Sequence, residues 1–127
     1  MKNIINIAYL LIMISSLSHA NETYILQNNI NDTIKLATEI NKPVLIIFSA
    51  DWCKHCTILK DDFTNNKLTE ISNYVICIVD VDTNKEIKKE FGIKSLPTSI
   101  ILSNNVEKSR KIGYSNKEYK GWLTAQK

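Results

Sequence analysis

Residues 48–56 read Phe-Ser-Ala-Asp-Trp-Cys-Lys-His-Cys, and this stretch decides the fold. The run before it, residues 44–48, is continuously apolar and rich in branched side chains, which is typical of a strand buried on both faces. After it, Leu59 and Phe63 recur at helical spacing. The sequence therefore predicts a strand, a short turn and a helix that begins near Cys53.

Cys53 and Cys56 are suited to redox chemistry at this junction. A helix N-terminus offers unpaired backbone N–H groups and a partial positive charge, which stabilise a thiolate on Cys53. Two cysteines three residues apart on a first helical turn can close a disulfide. We expect Cys53 to attack a substrate disulfide and the more shielded Cys56 to displace the substrate from the mixed disulfide; the reverse steps oxidise a substrate.

Three neighbouring side chains are candidates for tuning the thiolate. A protonated His55 and the cation of Lys54 would both favour ionised Cys53. Because a stabilised thiolate stabilises the reduced form, we expect a more oxidising couple than a neutral dipeptide would give. Trp52 either shapes the surface beside the cysteines or packs as a shielding core residue, and the sequence leaves both open.

The rest of the chain alternates strand and helix patterns. Strands are predicted near 24–26 and at 75–81, 98–102 and 106–112. A first helix is predicted from a cap at Asn31 or Asp32 to about residue 41, and a short helical stretch at 67–72. Two further helices start at capping boxes: one runs from Thr83/Glu86 to Gly92, and the other starts at Ser115/Glu118. Alternating strands and helices imply parallel pairing, and a hairpin turn at Asn104-Asn105 adds an antiparallel pair. We expect an α/β fold with a central mixed sheet of four to five strands and about four flanking helices.

The first 20 of the 127 residues have the pattern of a signal peptide. Lys2 is followed by an apolar run too short for an ordinary membrane span, and Ser18-His19-Ala20 suits a signal peptidase. An uncleaved N-terminal anchor is the alternative. Cleavage leaves one domain, residues 21–127, in an exported and disulfide-permissive compartment such as the periplasm. The dispersed basic residues argue against nucleic acid as a partner.

Three segments resemble the thioredoxin superfamily. They are residues 48–56, the run Val79-Asp80-Val81-Asp82, and the run Phe91-Gly92-Ile93-Lys94-Ser95-Leu96-Pro97-Thr98. The Ala-Asp-Trp-Cys lead-in and the Leu-Pro-Thr segment most resemble exported proteins related to the C-terminal (gamma) domain of the bacterial transmembrane thiol:disulfide interchange reductase. The resemblance implies a thioredoxin-like fold, a cis bond at Pro97, and a substrate groove lined by Ser95, Leu96 and Pro97.

Two positions depart from the family pattern. Many thioredoxins have a buried aspartate where this chain has Ile47, and the reductase domain has a glutamate where this chain has Lys60. Without a nearby base, Cys56 should lose its proton less readily and resolve a mixed disulfide more slowly. Lys60 is expected to be a solvated surface residue.

Other chemistry-bearing residues have simpler interpretations. Cys77 lies mid-strand and is expected to be a buried packing residue. Asp51, Asp61 and Asp62 are expected to be solvated charges near the helix end. A structural zinc site needs four ligands, and besides the cysteine pair only His55 and Cys77 are available, so no metal is expected.

The sequence therefore predicts a monomeric, exported protein-disulfide oxidoreductase without a bound cofactor, whose redox direction is undetermined. Its substrates would be exported proteins with thiols or disulfides, and by resemblance a membrane protein could be its redox partner. The competing hypothesis is a redox-inactive, chaperone-like module that binds peptides beside Pro97 and keeps its disulfide formed.

Overall fold

The computed structural model describes residues 25–27 and 29–126. These form the strands β1 (Ile25–Gln27), β2 (Val44–Ser49), β3 (Val75–Asp80), β4 (Thr98–Ser103) and β5 (Val106–Ile112), the helices α1 (Ile30–Glu39), α2 (Lys54–Thr64), α3 (Lys85–Glu90) and α4 (Asn116–Thr124), and a 3-10 helix, Thr69–Asn73. The predicted signal peptide lies outside the described residues. No helix in residues 25–27 and 29–126 is long and apolar enough to cross a membrane.

The five strands form one mixed sheet in the order β1-β3-β2-β4-β5. β3 pairs in parallel with both β1 and β2, whereas β2 with β4 and β4 with β5 are antiparallel. The helical crossovers permit the parallel pairs, and a two-residue turn closes the β4–β5 hairpin. This is the predicted thioredoxin-like architecture, with β2 at its centre.

Side chains of β2 point alternately into two cores, because successive residues of a strand face opposite sides of the sheet. Ile46 and Phe48 belong to a cluster that also contains Cys53, Cys56 and Cys77. A second cluster fills the other face and contains Leu45, Ile47, Leu59, Phe63, Tyr119 and Leu123, among others. Both faces of β2 are therefore buried, as its continuous apolar run predicts.

Two turn predictions are confirmed, and in both cases the backbone conformation explains the residue type. Asn104 and Asn105 adopt φ values of 51° and 61°, the left-handed conformation that a tight hairpin turn requires. Gly92 follows α3 with φ of 63°, and the N–H groups of Gly92 and Ile93 donate to the carbonyls of Lys89 and Lys88, each at 3.0 Å. Gly92 thus ends α3 in the way expected of a C-terminal glycine.

Several helix starts differ from the prediction. The cap of α1 is Asn29, whose Oδ1 accepts the Asp32 N–H at 3.0 Å, so α1 begins earlier than predicted and ends at Glu39. The stretch predicted at 67–72 is the 3-10 helix Thr69–Asn73. Asn84, not Thr83, precedes α3, because the Thr83 hydroxyl donates instead to the Asp80 carbonyl.

The capping box predicted at Ser115 and Glu118 is confirmed only in part. Ser115 does precede α4, but its side chain makes no capping hydrogen bond. Glu118 lies 3.6 Å from the Lys111 ammonium on β5 and pairs with it instead of turning back to the cap. Tyr119 and Leu123 of this helix are fully buried, and Trp122 is partly buried.

Candidate active site

Cys53 is the N-cap residue of α2. Its backbone is extended, with φ of −88° and ψ of 108°, and its N–H donates to the Ala50 carbonyl at 3.1 Å to close the turn after β2. The Cys53 carbonyl accepts the Thr57 N–H at 3.1 Å, the first hydrogen bond of the helix. The strand-to-helix junction predicted from residues 48–56 is therefore present, with the cysteine at the mouth of the helix.

Cys53 and Cys56 are joined by a disulfide, with their Cα atoms 5.2 Å apart. The N–H of Cys56 points at the Cys53 sulfur, 3.3 Å away. Cys56 is fully buried, whereas 7% of Cys53 is exposed. The more accessible sulfur is thus the one that faces a free N–H at the helix start, which is the arrangement that stabilises a thiolate.

Lys54 and His55 are exposed residues of the first turn of α2, between the two cysteines. Trp52 is 71% exposed, and its indole N–H donates to Asp82 Oδ2 at 2.9 Å. The core-packing interpretation of Trp52 is therefore wrong: it is a surface residue held beside the cysteines by a carboxylate.

Asp82 is a site residue that the sequence analysis did not single out. It lies two residues after the end of β3, and its N–H donates to Asp80 Oδ1 at 2.8 Å, which fixes the turn that presents its carboxylate. A signal was available, because β2 and β3 are parallel and their carboxyl ends share one edge of the sheet. Polar residues after one strand therefore lie near those after the other.

The segment around Pro97 forms the other side of the site. The bond between Leu96 and Pro97 is cis, as the family resemblance implied. Leu96 is half-buried and packs against the cluster that holds Cys53 and Cys56, whereas Ser95 is exposed. The Pro97 carbonyl accepts the Gly113 N–H at 2.8 Å, which attaches this segment to the end of β5.

Ile112 was also missed by the sequence analysis. It is the last residue of β5, lies opposite Thr98, and leaves 63% of its surface exposed. A large, exposed apolar side chain therefore lies beside the first residue of β4, directly after Pro97. No pattern in the sequence marked it, because its position depends on the pairing of β4 with β5.

The acid found in many thioredoxins is absent at Ile47, which is 1% exposed and packs in the cluster with Leu59 of α2. Lys60 is half-buried, so the expectation of a fully solvated lysine is only partly right. The nearest polar replacement on the strand is Ser49, two residues further along β2 and 1% exposed. Its hydroxyl has no hydrogen-bond partner among the described residues.

Asp62, at the far end of α2, corrects one expectation. It is only 7% exposed, where a solvated charge was expected, because three partners accompany its carboxylate into the protein. The hydroxyl of Tyr114 donates to it at 2.5 Å, Asn116 donates at 3.1 Å, and the Lys67 ammonium lies 3.2 Å away. The hydrogen bond from Tyr114, followed by those from Asn116 and Lys67, lowers the pKa of Asp62.

The contact with Asp62 also changes the pKa of Tyr114. Burial and the hydrogen bond to Asp62 raise the pKa of Tyr114 to about 12. The phenol therefore stays protonated and remains a donor at physiological pH. Asp51, by contrast, is exposed as expected.

Two further predictions concern the third cysteine, Cys77, and a zinc site. Cys77 is fully buried in β3, opposite Ile46 of β2, as predicted for a packing residue. In residues 29–126, no group of three or more His, Cys, Asp or Glu side chains is arranged to hold a metal ion.

Comparisons with known proteins give a consistent result. A family model described as thioredoxin matches residues 23–124. The thioredoxin of Rickettsia felis is 32% identical over 92 residues, which span 71% of this chain and 88% of that protein. Thioredoxin H4 of Arabidopsis thaliana is 31% identical over 100 residues, 79% of this chain and 78% of that protein.

The fold is matched by solved structures as well. A crystal structure of a poplar thioredoxin h superposes with a TM-score of 0.71 and covers 81% of this chain and 94% of that one. A thioredoxin from Fasciola hepatica superposes with a TM-score of 0.67 and covers 82% and 99%. Their identities to this chain are 22% and 24%, so these likenesses bear on the fold alone.

Proposed function

The chain belongs to the thioredoxin family, and we propose that it exchanges disulfides with exported proteins through Cys53 and Cys56. One observation carries the proposal: the disulfide closes the first turn of α2, and the Cys56 N–H points at the sulfur of the more accessible cysteine from 3.3 Å. Thiol-disulfide exchange needs a stabilised attacking sulfur and a second sulfur close behind it. This geometry supplies both.

In the reducing direction, the Cys53 thiolate attacks one sulfur of a substrate disulfide, and the other substrate sulfur leaves as a thiolate. Cys56 then attacks Cys53, releasing the second substrate sulfur and closing the disulfide present in this structure. Two electrons pass from the cysteine pair to the substrate. In the oxidising direction every step runs in reverse.

The exposed Trp52 and Ile112 and the half-buried Leu96 support a peptide segment with apolar side chains as the substrate. Ser95 and Pro97 flank Leu96 in the bend before β4, which is the proposed docking segment for a substrate strand. The cationic side chain of Lys54, in the first turn of α2, favours ionised Cys53. We expect the couple to be more oxidising than about −270 mV, the thioredoxin value.

The exported location rests on residues 1–20 and on the resemblance to the gamma domain of the transmembrane reductase. A membrane protein is then the proposed redox partner, because exported compartments are oxidising and lack the cytosolic reductants. Production of the full chain in a bacterium with subsequent N-terminal sequencing tests this. A mature chain that begins at Asn21 supports export with cleavage, and retention of Met1 in the cytosol contradicts it.

The test of the activity is reduction of insulin by dithiothreitol in the presence of catalytic amounts of the protein, with Cys53→Ser as the control. We expect turnover for the wild type and none for the variant. A Cys56→Ser variant should trap substrates as mixed disulfides on Cys53. Absence of turnover together with a disulfide that strong dithiols do not reduce would instead favour the redox-inactive binding module.

A further inference from the structure

An open cleft of about 800 Å³ lies between α1, α3 and the β4–β5 hairpin. We call it the β5 cleft, and the residues of its lining that matter here are Ile34, Glu90, Phe91, Leu102, Glu107 and Arg110. Its volume is in the range of ligand-binding clefts in proteins. The exchange steps described above use none of these residues.

The cleft is formed by one face of β5. On the other face of the strand, Ser109 accepts a hydrogen bond from the Trp122 indole of α4 at 2.7 Å. Glu107 and Arg110 lie opposite Leu102 and the residue two before it in β4, both of which belong to the core cluster on the α1 and α3 side. Both charged side chains of β5 are exposed there and line the cleft.

The lining of the β5 cleft is apolar, with charged groups at its edge. Ile34 and Phe91 are half-buried and pack against the core cluster that contains Leu102. The guanidinium of Arg110 is paired with the Glu107 carboxylate through two hydrogen bonds, at 2.8 and 2.9 Å. Glu90 is exposed and forms no salt bridge with any residue in 29–126. One uncompensated carboxylate therefore stands beside the apolar lining.

The β5 cleft begins beside the proposed docking segment. Arg110 precedes Ile112 by two residues on the same face of β5, a separation of about 7 Å, and Ile112 lies opposite Thr98, the residue after that segment. On the other wall, the Phe91 ring lies 5.4 Å from the ring of Phe48, which also pairs with Thr98. The cleft thus continues the surface on which a substrate strand would dock.

We propose that the β5 cleft binds a second part of a protein substrate, namely an extended apolar segment that carries a lysine or arginine. This inference rests on the proposed function. The apolar side chains of the segment contact Ile34 and Phe91, and its cation faces Glu90. Three asparagines of the lining, Asn29, Asn31 and Asn105, offer amide groups that can both donate to and accept from a peptide backbone.

The length of β5 sets the distance from the exchanged cysteine. The strand advances by about 3.4 Å per residue, so the path from Ile112 to Glu107 covers about 17 Å. An extended substrate segment spans this distance with about five residues. The cleft therefore selects side chains about three to six residues from the substrate cysteine. It takes no part in breaking or forming the disulfide, so its loss should change substrate preference and leave the reactivity of Cys53 unchanged.

Three synthetic peptides test the inference. A short peptide contains one cysteine and its two neighbours. Two long peptides add, on each side of the cysteine, about four alanine and leucine residues followed by a lysine in one peptide and a glutamate in the other. Each cysteine is a mixed disulfide with glutathione. Reduced protein becomes oxidised as the peptide and glutathione leave as thiols, and alkylation of samples over time gives the rate constant.

We expect the wild type to react with the long lysine peptide about tenfold faster than with the short one, because the apolar residues are buried in the cleft. The lysine peptide should also react about threefold faster than the glutamate peptide. The chain has a formal charge of +3. Non-specific attraction would therefore favour the glutamate peptide, and a preference for lysine marks a specific site.

The variant Glu90→Lys should reverse this preference and react about threefold faster with the glutamate peptide. Glu86→Lys is the matched control, because Glu86 is an exposed glutamate of the same helix that does not line the cleft. Glu86→Lys makes the same change in total charge and should keep the preference for lysine. Both variants should react with the short peptide at the wild-type rate.

Equal rates of the wild type with the short and long peptides overturn the inference, as do equal changes of preference in Glu90→Lys and Glu86→Lys. Sedimentation of the wild type as a dimer that Glu90→Lys dissociates would assign the cleft to a second copy of the chain and overturn it as well. The short peptide reports on the proposed function separately: a wild type that does not react with it contradicts thiol-disulfide exchange itself.

Discussion

The two ends of α2 differ in how their buried polar atoms are hydrogen-bonded. At the first turn, the N–H of the buried Cys56 faces the Cys53 sulfur. At the last turns, the carboxylate of Asp62 is surrounded by partners from three other positions in the chain. The first turn of α2 therefore presents one N–H to a sulfur, whereas its last turns hold a carboxylate with three partners.

The cysteine site must change its charge during exchange, whereas the Asp62 site must keep its charge. The Cys53 sulfur, which alternates between disulfide and thiolate, is approached by one backbone N–H. The carboxylate of Asp62 keeps its charge, and its donors attach α2 to Tyr114 and Asn116 beyond β5. Substitutions at the first end should therefore change activity, and substitutions at the second should change stability.

The strongest test of this contrast exchanges Cys53 for serine. Removal of the attacking sulfur should lower insulin-reduction turnover by at least about 10³-fold, because the remaining cysteine, Cys56, is fully buried and cannot reach a substrate disulfide. Asp62→Asn, at the other end of the same helix, should keep turnover within about twofold of wild type. Comparable losses in both variants would show that the two ends are not functionally separate.

Asp62→Asn should have the largest effect on stability. The amide cannot accept the Tyr114 hydrogen bond with the strength of a carboxylate, and hydrogen bonds to charged groups contribute about 1.5–3 kcal/mol each. We expect the free energy of unfolding, measured in urea, to fall by about 2–3 kcal/mol. Tyr114→Phe removes one donor alone and should cost less, whereas Lys67→Ala should cost little, since its side chain is 59% exposed.

The stability difference should depend on pH. Hydrogen bonds hold the pKa of Asp62 below its ordinary value of 3.8, so the folded state keeps the carboxylate charged where the unfolded chain takes up a proton. This contribution is fully present above about pH 5 and is lost as the pH falls below 3.8 toward the folded pKa. The gap in unfolding free energy between wild type and Asp62→Asn should stay constant from about pH 7 to pH 5 and narrow as the pH falls from about 5 to 3; an equal gap at pH 3 and pH 6 contradicts this.

The smallest effect is expected at the hydrogen bond between Trp52 and Asp82, next to the first turn of α2. Asp82→Ala releases the Trp52 indole from its hydrogen bond and leaves Cys53 untouched. The exposed Trp52 side chain then becomes less ordered, and we expect KM for insulin to rise by about two- to fivefold with kcat nearly unchanged. Asp51→Ala, which removes a neighbouring exposed carboxylate, is the control and should leave KM at its wild-type value.

The sequence predicted the features that depend on local patterns. The strand before Cys53, the helix after it, the glycine stop at Gly92 and the Asn104-Asn105 turn all follow from apolar runs or from residues with special backbone preferences. The resemblance added the cis bond at Pro97. Helix starts were less predictable, since neighbouring polar residues such as Asn29, Asn31 and Asp32 compete to cap the same end.

Features that depend on distant contacts could not be found in this way. Asp62 was expected to be solvated because its three partners follow it by 5 to 54 residues, and nothing near it in the sequence announces them. Asp82 and Ile112 reach the site only through strand pairing. The unpartnered hydroxyl of Ser49 is visible only when both the sheet and α2 are in place.

The two tryptophans give the protein an optical signal of its own redox state. Trp52 precedes the disulfide and is largely exposed, whereas Trp122 is half-buried on α4 and its indole donates to Ser109 at 2.7 Å. Because a disulfide quenches the emission of a nearby indole, reduction should brighten Trp52 at long wavelengths and leave Trp122 as an internal reference. Exchange reactions of the unlabelled protein can then be followed by fluorescence in real time.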